Sequence, residues 1–355
     1  MVSDMSRSLS FSEVSTAQTC KARWAFSYGG QLTGGTTLKS RHVLPILRDG
    51  RAWGAGVAAW HERSSQTLLA YVEALDVMRQ SLDEDLAFMK DAGVMTNATL
   101  DQRNDAMGRL ERMFHHYTSL SEPLANLTRL EDTIDVAVPS RSGKRGSSRY
   151  RFGAKIDGFT EAEQNADWIV EFKLRKKLNP RWFIELARQY LYYAWARQRE
   201  SGRRVIGIVV DERLNAIPNL PKILRSGRVS SDKDQLTTVP FYLAACEQAG
   251  QDPDPETVMA LQARTWQQRV FVLFRPDELV EAGLELVSAA KDIRDLDSGE
   301  LYPVRNASQI VCNGCRFKRI CKDPTGSLVD ELFIRTTPKR LRDQEAIQQP
   351  QEVAA

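Results

Sequence analysis

Histidine and cysteine are the scarce residues of this chain, with four of the first and five of the second among 355. Any metal site built from thiols or imidazoles must therefore draw on a short roster. Charge of one sign is lacking too, because 49 Lys and Arg are nearly balanced by 46 Asp and Glu, leaving a formal net charge of +3. Affinity for a polyanion then has to come from local clusters. No apolar run approaches the length that crosses a bilayer, and the start, MVSDMSRSLSFSEVSTAQTC, has no apolar core of signal-peptide type. The expectation is a cytoplasmic protein, where thiols stay reduced and clustered cysteines are better explained by a metal than by disulfides. A Gly-x4-Gly-Lys-Ser/Thr phosphate loop is absent, so no nucleotide-driven motor is expected.

What is present includes 42% hydrophobic residues, ample for a packed core. Three of the five cysteines fall in VCNGCRFKRICKD, as Cys312, Cys315 and Cys321. Three thiols make an incomplete metal site. Cys246, in YLAACEQAG, reads as a small buried helix residue.

The hydrophobic period divides the chain. Leu68, Val72, Leu75 and Met78 form the stripe of an amphipathic helix expected from about Gly54 to about Gln80, and Leu100, Met107, Leu110 and Phe114 mark a second over 99–117. From 133 the segments TIDVAVP, RYRFGAKIDGF and DWIVEFKL read as strands of one sheet. NPRWFIELARQYLYYAWARQRE then predicts one helix to about 200, and RVIGIVVDE a buried central strand. A helix between two strands suggests a parallel crossover. Residues 213–240 lack periodicity and read as an insertion. VFVLFRPDEL returns to a strand and leads into a helix to about 293. The expected organisation is an N-terminal segment (1–53), a core (54–300), a three-cysteine segment (301–337) and a disordered Gln-rich tail (338–355).

The densest chemistry lies at Asp157, Glu171 and Lys173. Side chains alternate along a strand, so in IVEFKL Glu171 and Lys173 share one face while Val170, Phe172 and Leu174 point to the other. A hairpin from the preceding strand brings Asp157 beside Glu171. Two converging carboxylates suit a hard divalent cation, Mg or Mn, and a neighbouring lysine can orient a water and offset charge on a phosphate. Glu-x-Lys alone is as readily an exposed cross-strand ion pair. On the next helix Gln189 and Tyr193 lie four residues apart on one face, with Glu185 a turn earlier.

Asp, then Glu-x-Lys on the following strand, then Gln-x-x-x-Tyr on the next helix resembles the PD-(D/E)XK nuclease superfamily, specifically its RecB-like branch. Ile156 stands where the superfamily name has proline. The resemblance implies an α/β fold with a restriction-endonuclease-like mixed sheet flanked by helices. It also implies a histidine after a glycine on an early helix, which in WGAGVAAWHER points to His61 as a ligand with Asp157 and Glu171. His115 and His116 read as structural or exposed. Iron-sulfur members of the branch, such as the CRISPR-associated exonucleases, place one cysteine before the core and three after it as Cys-x-x-Cys-x5-Cys. On that pattern Cys20 joins Cys312, Cys315 and Cys321 around a [4Fe-4S] cluster that staples the N- and C-terminal segments, with tetrahedral zinc as the alternative. Closing so long a loop costs about 5 kcal/mol of chain entropy.

The activity implied is metal-dependent DNA hydrolysis, an exonuclease acting on single-stranded ends, in recombination, repair or foreign-DNA processing, with a separate helicase or recombination partner. Two other readings stay open: a DNA-end-binding component with little turnover, and a zinc-stapled endonuclease. Basic residues flank the site in SRSGKRGSSRYR and KLRKKLNPR, either as a DNA path or as solvated loops. No helix-turn-helix is evident, so recognition is expected to read backbone or free ends.

Overall fold

In the computed structural model, residues 7–63, 68–124, 126–129, 133–139, 146–162, 165–339 and 341–342 are described. The tail beyond 342 and the first part of the SRSGKRGSSRYR basic run lie outside them.

The first element is β1 (Arg7–Ser10), followed by α1 (Phe11–Thr19), α2 (Lys21–Trp24), a π-helical turn (Ala25–Gly29) and β2 (Thr37–Ser40). Three long helices come next: α3 (Pro45–Glu62), α4 (Leu68–Asp91) and α5 (Asn97–Thr118). The single helix expected over 54–80 is thus two, and α3 begins nine residues before Gly54. Thr96 caps α5 through a reciprocal bond pair with Thr99.

Then come β3 (Leu127–Arg129), β4 (Ile134–Pro139), β5 (Gly146–Ala154), β6 (Gly158–Ala162) and β7 (Ala166–Arg175). The helix expected to about 200 is broken into α6 (Arg181–Glu185) and α7 (Arg188–Ser201) and leads to β8 (Arg204–Leu214). The excursion after β8 holds one isolated bridge, Ile223 to Val229, and extends through α8 (Val239–Gln248) and α9 (Pro255–Gln262). The end comprises β9 (Gln267–Leu273), α10 (Pro276–Ser298), α11 (Gln309–Asn313), α12 (Leu328–Leu332) and β10 (Phe333–Thr336).

A five-stranded sheet in the order β3-β6-β7-β8-β9 is the centre, with β7 and β8 parallel and the other pairs antiparallel. The parallel pair is the crossover that the helix between two strands predicts. On one face of β7, Val170, Phe172 and Leu174 pack with the core of α3, α4 and α5. On the other, Ile169 joins Ile208 and Val210 beneath α7 and α10. The strands from 133 onward are not one sheet: β5 pairs with both β1 and β4 in a separate three-stranded sheet that shares this second core.

The chain ends meet directly. β2 and β10 form an antiparallel ladder from Thr37↔Thr336 to Ser40↔Phe333, over a small core of Ala22, Phe26, Leu38, Phe317, Ile320, Val329 and Phe333. Ring centroids of Phe26 and Phe317, and of Phe317 and Phe333, are 5.2 Å apart. Arg7 pairs with Glu13 and Asp297, and Lys339 Nζ lies 2.9 Å from Glu13 Oε2.

Candidate active site

Strand alternation brings Glu171 and Lys173 to the α7 side of β7, as the sequence predicts, and they form an ion pair. Asp157 reaches them because β6 stops pairing with β7 at Gly158↔Val170, one residue after it. Beyond that pair the Phe172 N–H has lost its strand partner, and the Asp157 carboxylate takes its place, accepting through Oδ2 at 2.7 Å. The strand end therefore holds Asp157 by a backbone bond that needs no particular side chain at 172.

From α7, Gln189 Nε2 donates to Tyr193 OH at 2.9 Å and lies 3.5 Å from Glu171 Oε1. Glu171 Oε1 thus faces both Lys173 and Gln189. Its other oxygen, Oε2, is buried without any hydrogen-bond partner. An orphaned carboxylate oxygen is costly in a protein interior. Burial pushes the Glu171 carboxyl up to about 7, Asp157 adds to the shift and Lys173 opposes it. Burial also raises Asp157, against Lys173 and the Phe172 bond. For Lys173 burial works downward, but Glu171 and Asp157 outweigh it and the ammonium is held above its ordinary range. Tyr193 is raised to about 12 by burial and by Glu171, so it stays a neutral hydroxyl. Glu185 is not part of this group: it lies on α6, paired with Arg181 at 2.7 Å.

His61 is not brought to the carboxylates, and its assignment as a ligand is corrected. It lies on the opposite side of β7, fully buried, with its ring stacked on Phe172 at 5.0 Å between centroids. Nδ1 accepts from the Leu124 N–H at 3.0 Å, so the proton sits on Nε2, which is 2.9 Å from Tyr117 OH. Neither nitrogen keeps a free lone pair for a metal. Burial, with Arg269 in second place, lowers its pKa to about 3. The α3 residue that faces the pocket is Gly54: a Cβ there would lie 3.8 Å from each Asp157 carboxylate oxygen and 3.7 Å from Phe172 O. His116, on α5, lies against Arg213 and Trp266.

One residue that holds the pocket's surroundings was missed. Glu212 is fully buried on β8, in register with Lys173, and Arg175 Nε (2.9 Å), Asn179 N (2.9 Å), Asn179 Nδ2 (2.8 Å) and Gln268 Nε2 (2.8 Å) all donate to it. It pins the loop that leaves the pocket. The available signal was a charged pair ending an apolar strand, in VVDERL.

Where the chain ends meet, Cys20, Cys315 and Cys321 pack against the small core between them. Asn306 connects the remaining thiol: its N–H lies 3.5 Å from Cys20 Sγ, and its carbonyl oxygen 3.9 Å from Cys312 Sγ. All five cysteines are free, and Cys246 is buried on α8. Among the described residues no group of three or more His, Cys, Asp or Glu side chains is drawn together tightly enough to hold a metal ion. The carboxylate pocket thus supplies two acidic groups. That fits Mg, which keeps several waters and is held by one or two carboxylates plus phosphate oxygens. None of the described helices is long and apolar enough to cross a membrane.

No curated protein gives a significant match to the sequence. Among solved structures, the chain is similar to one described as "Putative exonuclease" from Eubacterium rectale, at 10% identity and a TM-score of 0.40, covering 87% of this chain and 88% of that one. The profile of the PD-(D/E)XK nuclease superfamily matches residues 8–322, a span that contains the Asp157 pocket and all five cysteines. This chain belongs to the PD-(D/E)XK nuclease superfamily.

Proposed function

We propose that the protein is a metal-dependent DNA exonuclease that hydrolyses single-stranded ends. The observation that carries this reading is the orphaned Glu171 Oε2, buried beside Asp157 and Lys173 with nothing to bond it. Asp157 and Glu171 are the groups that would hold Mg or Mn there. When bound, the cation supplies an activated water and neutralises charge on the phosphate. Lys173 has an ammonium that would orient the attacking water and stabilise the charge that builds on the pentacoordinate phosphorus. Gln189 keeps Glu171 Oε1 and the Tyr193 hydroxyl in line, and the neutral Tyr193 can donate to a phosphate oxygen.

The four thiols fit a cluster-binding role by chemistry, although the described side chains are not drawn into one metal-holding group. Cys20 comes from the start of the chain, Cys312, Cys315 and Cys321 from its end, and all border one small core or its Asn306 edge. Their donor set suits [4Fe-4S]. A brown colour with visible absorbance in anaerobically purified protein supports the cluster, and zinc with no colour rejects it.

The nuclease reading is tested on end-labelled single-stranded DNA with Mg or Mn. Native protein is expected to release short products from linear strands and to spare circular ones, and Lys173→Ala to lose at least a thousandfold in rate. Cleavage of circular strands makes it an endonuclease, and cleavage that survives Lys173→Ala removes the pocket from the chemistry.

A further inference from the structure

Between Lys173 and Gln189 the chain makes a closed excursion, because both residues bond the same oxygen, Glu171 Oε1. On that excursion sits α6, with a surface that folding leaves unburied: Trp182 is 60% exposed, Phe183 50% and Leu186, just past its end, 71%. The two rings stand edge to face with centroids 5.9 Å apart. Large aromatics seldom remain in water together without a partner to cover them.

The ledge is rigidly mounted. The Asn179 N–H and side-chain amide both bond the buried Glu212 carboxylate, which stands beside Lys173 in the strand register, and Pro180 then caps α6. Gln268 Nε2 ties the Asn179 carbonyl at 2.7 Å, and Ile184 buries the underside of the helix. The approach is basic: Lys176 and Lys177 are exposed on the connecting loop. On the other side of α6 a groove of about 680 Å³ runs along β9, with Trp168, Arg181, Arg269, Phe271, Leu273 and Arg275 in its lining. Glu185 and Glu278 line the groove as well, and its arginines are paired with Glu185, Asp211, Asp277 and Glu278, so the cations offered beside the rings are the exposed Lys176 and Lys177, a few residues from the proposed hydrolytic lysine. That combination is complementary to unpaired nucleobases on a phosphate backbone, since every base offers a face for stacking and every linkage a charge.

We infer that Trp182 and Phe183 form a base-stacking ledge, which grips unpaired nucleotides of a single strand as it passes the carboxylate pocket. The inference rests on the nuclease reading, since it names what that pocket is fed, and it selects single strands because paired bases offer no free faces. Glu212 is a positioning residue for this ledge.

The test compares binding of full-length native protein and of Trp182→Ala/Phe183→Ala to two labelled strands of equal length, oligothymidylate and an abasic deoxyribose-phosphate polymer, by fluorescence polarisation without added divalent metal. Native protein is expected to prefer thymidylate by about tenfold or more, the double variant to lose that preference while binding the abasic strand as native does, and Trp182→Phe to keep most of it. Equal binding of both strands by native protein, binding of neither, or a preference that survives in the double variant overturns the ledge. Turnover does not enter this measurement, so the two readings fail separately. A ring-dependent preference without Lys173-dependent cleavage sinks the nuclease reading alone, and Lys173-dependent cleavage without a ring-dependent preference sinks the ledge alone.

Discussion

The carboxylate pocket and the closure between the chain ends are both places where a metal is expected, yet they are built in opposite ways. In the pocket the protein alone is frustrated: Glu171 leaves an oxygen unbonded, and its carboxyl is pushed toward the protonated form. In the closure it is satisfied without help, through a four-residue ladder and a stack of three phenylalanines. On the proposed reading, the difference separates a site where an ion does chemistry from one where it reinforces. A pocket that works on a cation keeps a local cost in its absence, whereas a clasp that already holds gains only added strength from a cluster.

Glu171→Gln presses hardest on this contrast. It is expected to lose at least a thousandfold in cleavage rate, read on the end-labelled strand, yet to melt no lower than native without metal. Melting well below native would place Glu171 in the framework rather than in the chemistry.

Cys315→Ser tests the other side. All visible absorbance should go, while the chain stays folded by circular dichroism with a stability loss well under the ~5 kcal/mol that closing so long a loop costs. Global unfolding of this variant would show that the ladder cannot hold the ends alone, and would erase the difference between the two regions.

His61→Ala should cost about 3 kcal/mol in denaturant unfolding, because it strands the Leu124 N–H and the Tyr117 hydroxyl and removes a ring stacked on Phe172. Metal affinity of the pocket should be unchanged by calorimetry, whereas a large loss of affinity would restore His61 as a ligand.

The pH dependence is an effect of similar size to that of His61→Ala. The folded Glu171 carboxyl titrates at about 7 against an ordinary 4.5, so the stability it contributes is complete below about 4.5 and disappears as pH rises through 7. Without metal, Glu171→Gln is expected to match native near pH 4.5 and to exceed it by up to roughly 3 kcal/mol at pH 8. A flat stability difference across this range would mean that Glu171 is not desolvated.

Much of the core was legible because period-two alternation and apolar runs are local signals. The grouping of Glu171 with Lys173 follows from alternation alone, and the parallel pairing of β7 and β8 from the helix between them. Other features depend on which surfaces meet. His61 lies two turns beyond Gly54 on the same helix, and only the docking of α3 on β7 decides that Gly54 faces Asp157 while His61 sinks against Phe172. Likewise β4 and β5 carry ordinary strand patterns, and nothing local tells them to join β1 rather than β6. The break between α6 and α7 carries no Pro or Gly at Leu186-Ala187, so the pattern reads straight through it.

The β2–β10 ladder also has a consequence for how the molecule comes into being. Thr37 waits for Thr336, so nearly the whole chain must emerge from the ribosome before these strands can meet. The carboxylate pocket is already synthesised by then, and the clasp is the last thing to shut. A nascent or prematurely terminated chain would carry the pocket without its fastening, so only chains that extend past residue 336 can assemble the fastened enzyme.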